Sequence, residues 1–255
     1  MTLEQCAVVD VQKAAEGIHL LSFTSPAISR ALRPGQFVNI RVDGGCDPLL
    51  RRPFSAYRVE GDVVEIIFQV VGKGTEALRR KRTGDMLDVL GPLGVPFRID
   101  AGEIGTAVLV AGGLGVAPLP ILTGALQGRG TSVMTFLGAR TSAQLVTAHL
   151  EGLHTATDDG SGGFHGTVVD CASRVLRESR PPAPKIFACG PTPMLRAVAA
   201  LARATGIPCE VSLEGPMGCG IGICQGCPVE RESDEGSYAL MCKEGPVFDI
   251  TTIRI

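Results

Sequence analysis

Four cysteines near the end of the sequence constrain the fold more than any other feature. Cys219, Cys224 and Cys227 follow the spacing C-x4-C-x2-C, and Cys242 completes the set. This is the ligand spacing of a plant-type [2Fe–2S] site, in which four thiolates converge on one compact cluster. The first three cysteines must then lie on a loop that wraps the cluster, and a tight loop with backbone N–H groups close to sulfur favours glycine. The glycines that suit this loop are Gly218, Gly220, Gly222 and Gly226.

Two other interpretations of these thiols remain open, a structural zinc ion and cysteines without metal. Zinc sites usually carry two C-x2-C knuckles, whereas this sequence has one, Cys224–Cys227. A disulfide scaffold is disfavoured because the nine cysteines are odd in number and the first residues, MTLEQCAVVD, lack a signal-peptide pattern. We therefore expect reduced thiols in a cytoplasmic protein. The cysteines that we expect to be small buried hydrophobes are Cys6, Cys46, Cys171 and Cys209.

The charge and the aromatic content disfavour other classes of protein. The formal net charge is −2, and the chain has no Trp and two Tyr, so we expect neither a basic patch nor stacking platforms for nucleic acid. Residues 104–128 carry no charge and are long enough to cross a bilayer. They contain three closely spaced glycines followed by two prolines, however. We therefore predict a buried strand, a tight turn and a helix there, and no membrane span.

The hydrophobic pattern changes twice along the chain, which predicts three modules. Short Val-, Ile- and Phe-rich runs separated by turn residues occupy residues 1–100 and indicate a small antiparallel β-barrel. Continuous apolar runs alternate with helical stretches over residues 101–212, which is typical of a doubly wound parallel α/β domain. Residues 213–255 are rich in glycine and cysteine, and we predict a small C-terminal iron–sulfur module there. The predicted fold class is therefore multi-domain, β followed by α/β.

Two motifs in the first module indicate a flavin nucleotide site. In RRPFS, Arg52 has the side chain to pair with a pyrophosphate, and the Ser55 hydroxyl is suited to an isoalloxazine edge. In VVGKGT, Gly72 and Gly74 allow close backbone approach, and we predict that Thr75 opens a helix whose N-terminal amides attract a phosphate. An ordinary glycine turn with a threonine N-cap also explains the second motif.

Two strand-to-helix turns in the second module predict a dinucleotide site at the carboxyl edge of the sheet. In VLVAGGLGVAP, Gly113-x-Gly115 matches the first half of the dinucleotide fingerprint, and Pro118 stands at the third position. FACGPTPM is the second turn, with Cys189 at its strand end. Cys189 is either a core cysteine or a contact of nicotinamide or flavin. Arg140, which follows the next predicted strand, either meets the 2′-phosphate of NADP or is solvated or paired.

The motifs RRPFS, GKGT, GGLGVAP, TDDGS, ACGPTPM, CGIGICQGC and CKEGPVF span essentially the whole chain. In this order they resemble the ferredoxin–NADP⁺ reductase superfamily and, within it, the electron-transfer subunits of type B dihydroorotate dehydrogenases. The resemblance implies FAD, a [2Fe–2S] cluster, and NAD as substrate. The implied FAD contacts are Arg52, Pro53, Phe54, Ser55, Gln69, Val70, Val71, Gly72, Gly74 and Thr75. The implied NAD contacts are Gly112, Gly113, Gly115, Pro118, Cys189, Gly190 and Pro191. The implied cluster ligands are Cys219, Cys224, Cys227 and Cys242.

The same resemblance implies a function and a partner. Electrons would pass from dihydroorotate to FMN on a separate catalytic subunit, then through the cluster and FAD to NAD⁺, in a heterotetramer with two copies of each subunit. FAD lies between the other two carriers because it exchanges electrons both singly and in pairs. The alternatives are a reductase subunit for a hydrogenase, a ferredoxin or an oxygenase, and a zinc-stabilised nucleotide-binding regulatory module.

The sequence departs from the superfamily at two places. Phe54 stands where tyrosine is common, which leaves stacking or packing as its contact with the flavin ring. In EGPMGC, acidic residues are less close to the first cluster cysteine than they often are in the family.

Overall fold

The computed structural model describes residues 1–42, 45, 47–100, 102–232 and 236–255. In this part of the chain the first module contains helices α1 (Pro26–Ala31) and α2 (Lys73–Arg79). Its strands are β1 (Thr2–Ala15), β2 (Ile18–Thr24), β3 (Phe37–Arg41), β4 (Arg52–Ser55), β5 (Arg58–Glu60), β6 (Val63–Gln69) and β7 (Met86–Leu93). They pair in the order β4-β3-β7-β1-β2-β6-β5, and each neighbouring pair is antiparallel.

The first sheet curves because β1 is long enough to serve two partners. Its first half pairs with β7 and its second half with β2. β4, at one end of the strand order, also lies against β6 near the other end. The alternation along β3 shows the two faces that result. Val38 and Ile40 point into the barrel core, whereas Phe37 and Asn39 point outward, toward the C-terminal segment of the chain.

The second sheet is parallel over most of its width. Its strands include β8 (Thr106–Gly112), β9 (Ser132–Ala139), β10 (Leu153–Thr157), β11 (Phe164–His165), β12 (Pro184–Cys189) and β13 (Cys209–Ser212). The helices between them are α3 (Leu119–Gln127), α4 (Val168–Ser179) and α5 (Thr192–Thr205). Residues of β8 alternate between two cores: Val108 and Val110 pack with α4 and α5, and Leu109 packs with α3. Helices therefore cover both faces, as a doubly wound sheet requires.

The C-terminal segment adds a small hairpin and one strand of the large sheet. Its elements are β14 (Pro228–Glu230), β15 (Tyr238–Leu240), α6 (Met241–Glu244) and β16 (Val247–Asp249). β14 and β15 pair antiparallel, and β16 pairs antiparallel with β13, which gives the order β11-β10-β9-β8-β12-β13-β16. Residues 213–255, which the sequence predicts to form the iron–sulfur module, thus supply β16, the last strand of the large sheet. The boundaries near residues 100 and 212 stay a prediction.

A buried ion-pair network joins these three parts of the chain. Glu210 on β13 is 1% exposed, and its Oε1 accepts hydrogen bonds from Arg98 Nε at 2.6 Å and from Lys185 Nζ at 3.0 Å. Arg98 lies in the segment that leads from the barrel to β8, and its Nη2 also pairs with Asp249 of β16 at 3.0 Å. The Glu210 carboxylate therefore joins the linker at Arg98 to β13, which carries Glu210, and to β12, which carries Lys185.

The fold class predicted from the sequence is confirmed, with an antiparallel β domain, a doubly wound α/β sheet and a C-terminal cysteine-rich region. Residues 104–128 include β8, a short 3₁₀ turn and α3, as predicted. No helix among the described residues is long and apolar enough to span a membrane. The cysteines expected to be buried are indeed buried at Cys6, Cys171 and Cys209, whereas Cys46 lies outside the described residues.

Candidate functional site

A cleft of about 330 Å³ lies where the barrel, the large sheet and the C-terminal segment meet. Seven of the residues predicted to hold FAD line it: Arg52, Pro53, Phe54, Ser55, Gln69, Val71 and Thr75. Of the other three, Val70 and Gly72 are exposed between β6 and α2 and lie outside the lining, and Gly74 is buried. Two motifs separated in sequence, RRPFS and VVGKGT, thus reach the same cavity.

Arg52 and Gly74 are packed against each other at one end of this cleft. A Cβ at Gly74 would lie 3.1 Å from Arg52 Nε, so a side chain there would crowd the guanidinium. Arg52 Nη1 donates to the Leu50 carbonyl oxygen at 2.6 Å, which orients the group. The guanidinium therefore lies beside the first turn of α2, where a bidentate donor is suited to a pyrophosphate.

The start of α2 differs from the prediction. The helix begins at Lys73 with Gly72 as its N-cap, so Thr75 belongs to the first turn and does not open the helix. Its Oγ1 accepts hydrogen bonds from the backbone N–H groups of Val71 at 2.9 Å and Gly72 at 3.3 Å. The threonine therefore caps the turn from within, because its hydroxyl satisfies amides that the helix leaves unpaired.

Phe54 contacts the cleft through its ring. It packs edge-on against Phe68, with 6.0 Å between ring centroids, and it is half-buried in the lining. An aromatic edge held in this way offers a ligand packing and no hydrogen bond, in agreement with the expectation for phenylalanine at this position.

Sequence reasoning did not assign other parts of the cleft wall to the flavin site. Phe37 of β3 and the two residues Leu114 and Ala117 near the start of α3 line it, together with the segment from Leu213 to Met217. These side chains come from three distant parts of the sequence and follow no common motif. Most of them are apolar, and that signal is shared with the core, whereas Glu214 is a single carboxyl group among them.

The two predicted nucleotide loops pack directly on each other. β8 and β12 are neighbours in the sheet, and a Cβ at Gly115 would lie 2.1 Å from the Cys189 carbonyl oxygen. Gly190 has φ +149°, and a Cβ there would lie 3.0 Å from the Gly112 nitrogen. Glycine is therefore required on both loops for their close approach. Gly113, with φ +55°, makes the turn after β8.

Each of these loops ends in a proline that begins a helix. Pro118 is the N-cap of α3 and Pro191 is the N-cap of α5. Both helices therefore start at the carboxyl edge of the sheet, which is where ligands bind in doubly wound folds. Arg140 follows β9 at the same edge and is exposed.

Cys189 is paired with a carboxyl group that the sequence did not single out. Its Sγ donates to Glu214 Oε1 at 3.7 Å, and Glu214 lines the cleft. Burial raises the pKa of the Cys189 thiol well above its ordinary value, so the group stays protonated. Burial also raises the pKa of the Glu214 carboxyl. Cys189 is thus buried and also adjacent to the cleft, so both of its predicted roles agree with its position.

The three cysteines of the loop and Cys242 of α6 associate as two pairs. The Cys224 backbone N–H donates to Cys219 Sγ at 3.4 Å, and the Cys242 N–H donates to Cys227 Sγ at 3.4 Å. The Gly222 N–H reaches Cys242 Sγ at 3.1 Å. Two irons with two thiolates each need such a grouping. Among the residues that the structure describes, no three His, Cys, Asp or Glu side chains surround a single metal-ion position.

The loop fits a cluster of thiolates because backbone amides point at sulfur. The N–H groups of Cys224 and Ile221 lower the pKa of the Cys219 thiol to about 6, which favours the thiolate that binds metal. Burial raises the pKa of Cys242 to about 12, so this thiol needs a metal cation to become a ligand. A Cβ at Gly218 would lie 3.2 Å from Cys224 Sγ. The glycines therefore leave room for sulfur and amide together.

The loop presents one side to solvent. Cys224 is exposed, whereas Cys227 and Cys242 are buried. Ile223, beside Cys224, is an aliphatic side chain with 76% of its surface exposed. One cysteine pair therefore lies toward the surface and the other toward the protein.

The barrel, the doubly wound sheet and the cleft between them have the fold of the ferredoxin–NADP⁺ reductase class. The ferredoxin–NADP⁺ reductase from Neisseria gonorrhoeae with bound FAD and NADP has this fold, with a TM-score of 0.67 and 16% identity over 81% of this chain and 92% of that chain. A chain of the NADH-dependent reduced ferredoxin–NADP oxidoreductase, studied for flavin-based electron bifurcation, is more similar. Its TM-score is 0.85 at 33% identity, covering 98% of this chain and 90% of that chain.

Proteins related in sequence narrow the class to one family. Residues 214–254 match the family of the iron–sulfur cluster binding domain of dihydroorotate dehydrogenase B. The dihydroorotate dehydrogenase B (NAD⁺) electron transfer subunit of Geobacillus thermodenitrificans is 40% identical over 253 residues, 96% of each chain. That of Desulforamulus reducens is 38% identical over 250 residues, 94% of each chain. The chain belongs to the family of dihydroorotate dehydrogenase B electron transfer subunits.

Proposed function

We propose that this chain carries electrons from an FMN-containing, dihydroorotate-oxidising subunit to NAD⁺, by way of a [2Fe–2S] cluster and FAD. The main support is that the cysteine loop and the flavin cleft share a wall. The segment Leu213–Met217 lines the cleft and leads directly into the loop at Cys219. A carrier bound at one site therefore lies next to a carrier bound at the other.

The residues present fit both groups. When bound, FAD exchanges electrons singly with an iron–sulfur cluster and in pairs with a nicotinamide. Arg52 supplies the positive charge for the pyrophosphate, and Ser55 supplies a hydroxyl on the cleft wall. The glycines at Gly115 and Gly190 keep the two nucleotide loops close together, so the carboxyl edge of the sheet stays open to the dinucleotide. Glu214 and Cys189 present a protonatable pair beside the cleft.

We also propose that the partner contacts the exposed side of the cysteine loop. Ile223 and Cys224 are exposed there, and covering the Ile223 side chain with a partner would remove apolar surface from water. Two copies of each subunit in a cytoplasmic heterotetramer complete the proposal.

The structure that is 33% identical to this chain favours a second candidate. In that case the chain serves as the NAD(P)H-linked reductase subunit of another redox partner, such as a ferredoxin. The cleft and the cysteine loop would act in the same way, and only the partner and the direction of electron flow would differ.

The deciding experiment is an anaerobic affinity purification of the full-length chain with its native partner. We expect about one FAD and one [2Fe–2S] cluster per chain, together with a second protein that contains FMN and oxidises dihydroorotate. An FMN-free partner that reduces or oxidises ferredoxin would support the second candidate. A colourless, zinc-rich chain would contradict both.

A cysteine substitution tests the order of the relay. Cys224→Ser should remove the cluster and stop electron passage to the partner, while NADH oxidation by a dye that reacts directly with the flavin survives. Cys171→Ala is the matched control, because Cys171 is a buried residue of α4 and is far from the loop in sequence. Normal transfer to the partner in Cys224→Ser would show that electrons do not pass through the cluster.

A further inference from the structure

Asn39 is a buried amide at the contact between the barrel and the cysteine loop. It is 1% exposed, and its Nδ2 donates to the Cys219 carbonyl oxygen at 3.0 Å, across 180 residues of sequence. Its Oδ1 is also buried and has no hydrogen-bond partner among the described residues. A buried acceptor without a partner costs free energy that an apolar side chain would avoid, so the amide calls for a functional explanation.

The cysteine loop is shaped to receive this amide. A Cβ at Gly220 would lie 2.5 Å from Asn39 Nδ2, which is too close for any side chain. Gly220 also has φ +73°, a backbone conformation that glycine adopts readily. The cysteine loop therefore turns at Gly220, where Asn39 of the barrel contacts it, and the Cys219 carbonyl oxygen faces the Asn39 amide.

The strand that carries Asn39 also contributes to the flavin cleft. Phe37, two residues earlier on the same outward face of β3, lines the cleft. Its ring lies 3.8 Å from the position of a Cβ at Gly220. β3 is held on one side by β4 and on the other by β7, so it is a rigid element. One face of one strand thus contacts both candidate cofactor sites.

We propose that Asn39 is a positioning residue that fixes the cysteine loop, through the Cys219 carbonyl, at a set place relative to the flavin cleft. The inference rests on the proposed flavin and cluster sites and adds a residue outside every motif. The peptide that Asn39 holds belongs to the cysteine whose sulfur accepts the N–H groups of Ile221 and Cys224. Hydrogen bonds to sulfur tune an iron–sulfur cluster, so releasing this peptide alters the cluster and its retention.

The test compares Asn39→Asp and Asn39→Leu with Gln36→Leu in the full-length chain. Aspartate keeps the shape of Asn39 without the donor, and leucine removes both polar atoms. Gln36 is the matched control because it is 8% exposed and its Nε2 donates to the Gly94 carbonyl at 2.8 Å instead of to a carbonyl of the cysteine loop. Three measurements are made: iron release to a chelator, the electron paramagnetic resonance spectrum of the reduced cluster, and hydrogen exchange of the Ile221 and Cys224 amides in the metal-free chain.

Both Asn39 variants should lose iron about tenfold faster than the parent, with a shifted resonance spectrum, faster amide exchange and unchanged FAD content. Gln36→Leu should match the parent in all three measurements. If Asn39→Leu does not fold, Asn39→Asp decides alone. The proposal is overturned if the Asn39 variants keep the parent's iron release and spectrum, or if Gln36→Leu changes them equally. A parent chain purified without iron would contradict the proposed function. Amide exchange in the metal-free chain would still test whether Asn39 holds the Cys219 peptide in place.

Discussion

Glu210→Gln tests whether one buried carboxylate holds the linker and the sheet together. Glutamine keeps the shape of the side chain but removes the charge that faces Arg98 and Lys185. It also turns an N–H₂ group toward donors, since Glu210 Oε2 accepts the Arg98 backbone N–H at 2.9 Å and Oε1 accepts the two side chains. The Lys185 side chain is 11% exposed, so its ammonium group would be left largely buried without a counter-charge.

The size of the effect follows from the exposure of the two cations. Removing one partner of a buried ion pair costs about 3–5 kcal/mol. The Arg98 side chain is 56% exposed and regains water, so we expect the lower end, about 3 kcal/mol. For a chain of this length that corresponds to a fall in Tm of roughly 6–12 °C. Thermal unfolding followed by circular dichroism, in buffer with excess FAD, measures the fall.

A surface pair supplies the matched control for this prediction. Glu178 pairs with Arg174 on α4 at 3.0 Å, with side chains 65% and 64% exposed. Glu178→Gln should therefore cost only about 0.3–0.5 kcal/mol. If Glu210→Gln lowers Tm no more than Glu178→Gln does, the network does not stabilise the arrangement and the reasoning from burial is refuted.

Three further predictions concern the cleft and its loops. Gly115→Ala puts a Cβ 2.1 Å from a backbone carbonyl oxygen and should lower both Tm and NADH affinity. Gly124 in α3 has open space around it, so Gly124→Ala should stabilise the protein by about 0.5–1 kcal/mol. Equal effects of the two substitutions would contradict the close packing of the loops. Arg52→Gln should weaken FAD binding about 10- to 100-fold in a fluorescence titration, because a charge-assisted contact is lost. The Arg80 side chain is 73% exposed, and Arg80→Gln should leave FAD binding unchanged. Equal weakening by both substitutions would contradict the assignment of Arg52 to the pyrophosphate. Burial raises the folded-state pKa of Glu214, so ionisation of this carboxyl lowers the stability of the folded protein. Glu214→Gln should therefore have the same free energy of unfolding as the parent below the ordinary carboxyl pKa. It should become the more stable protein as pH rises through the raised pKa. Urea unfolding at several pH values measures this, and a difference that does not change with pH would argue against it.

The sequence motifs predicted those parts of the site where one short segment supplies the chemistry. RRPFS predicted a pyrophosphate contact because an arginine at a strand start can carry that chemistry, and the prediction depended on VVGKGT as a second motif. The structure adds that Arg52 packs against Gly74 of the second motif, where a Cβ would lie 3.1 Å from the Arg52 Nε. The start of α2 was misplaced because threonine is a common N-cap, whereas here Gly72 holds that position and Thr75 bonds back to it.

Other parts of the site had no signal in the sequence. Glu214 belongs to the EGPMGC segment, which the sequence associates only with the cluster, and its contact with Cys189 at the end of β12 is visible only in the structure. Phe37 and Asn39 alternate with Val38 and Ile40 along β3, and the pattern does not reveal which face meets the barrel core. The choice depends on what packs against the strand.

By itself the sequence determined the cluster loop and the order of the modules. Three thiols within nine residues cannot separate far, because chain geometry limits their distance, and the glycines around them permit the turns. The tertiary structure alone decided how the modules meet. Glu210 contacts Arg98 across 112 residues and Asn39 contacts Cys219 across 180 residues, and no local spacing specifies such pairs. They form only when buried side chains from separate segments pack together, and this packing places the cysteine loop beside the cleft that Arg52 and Phe54 line.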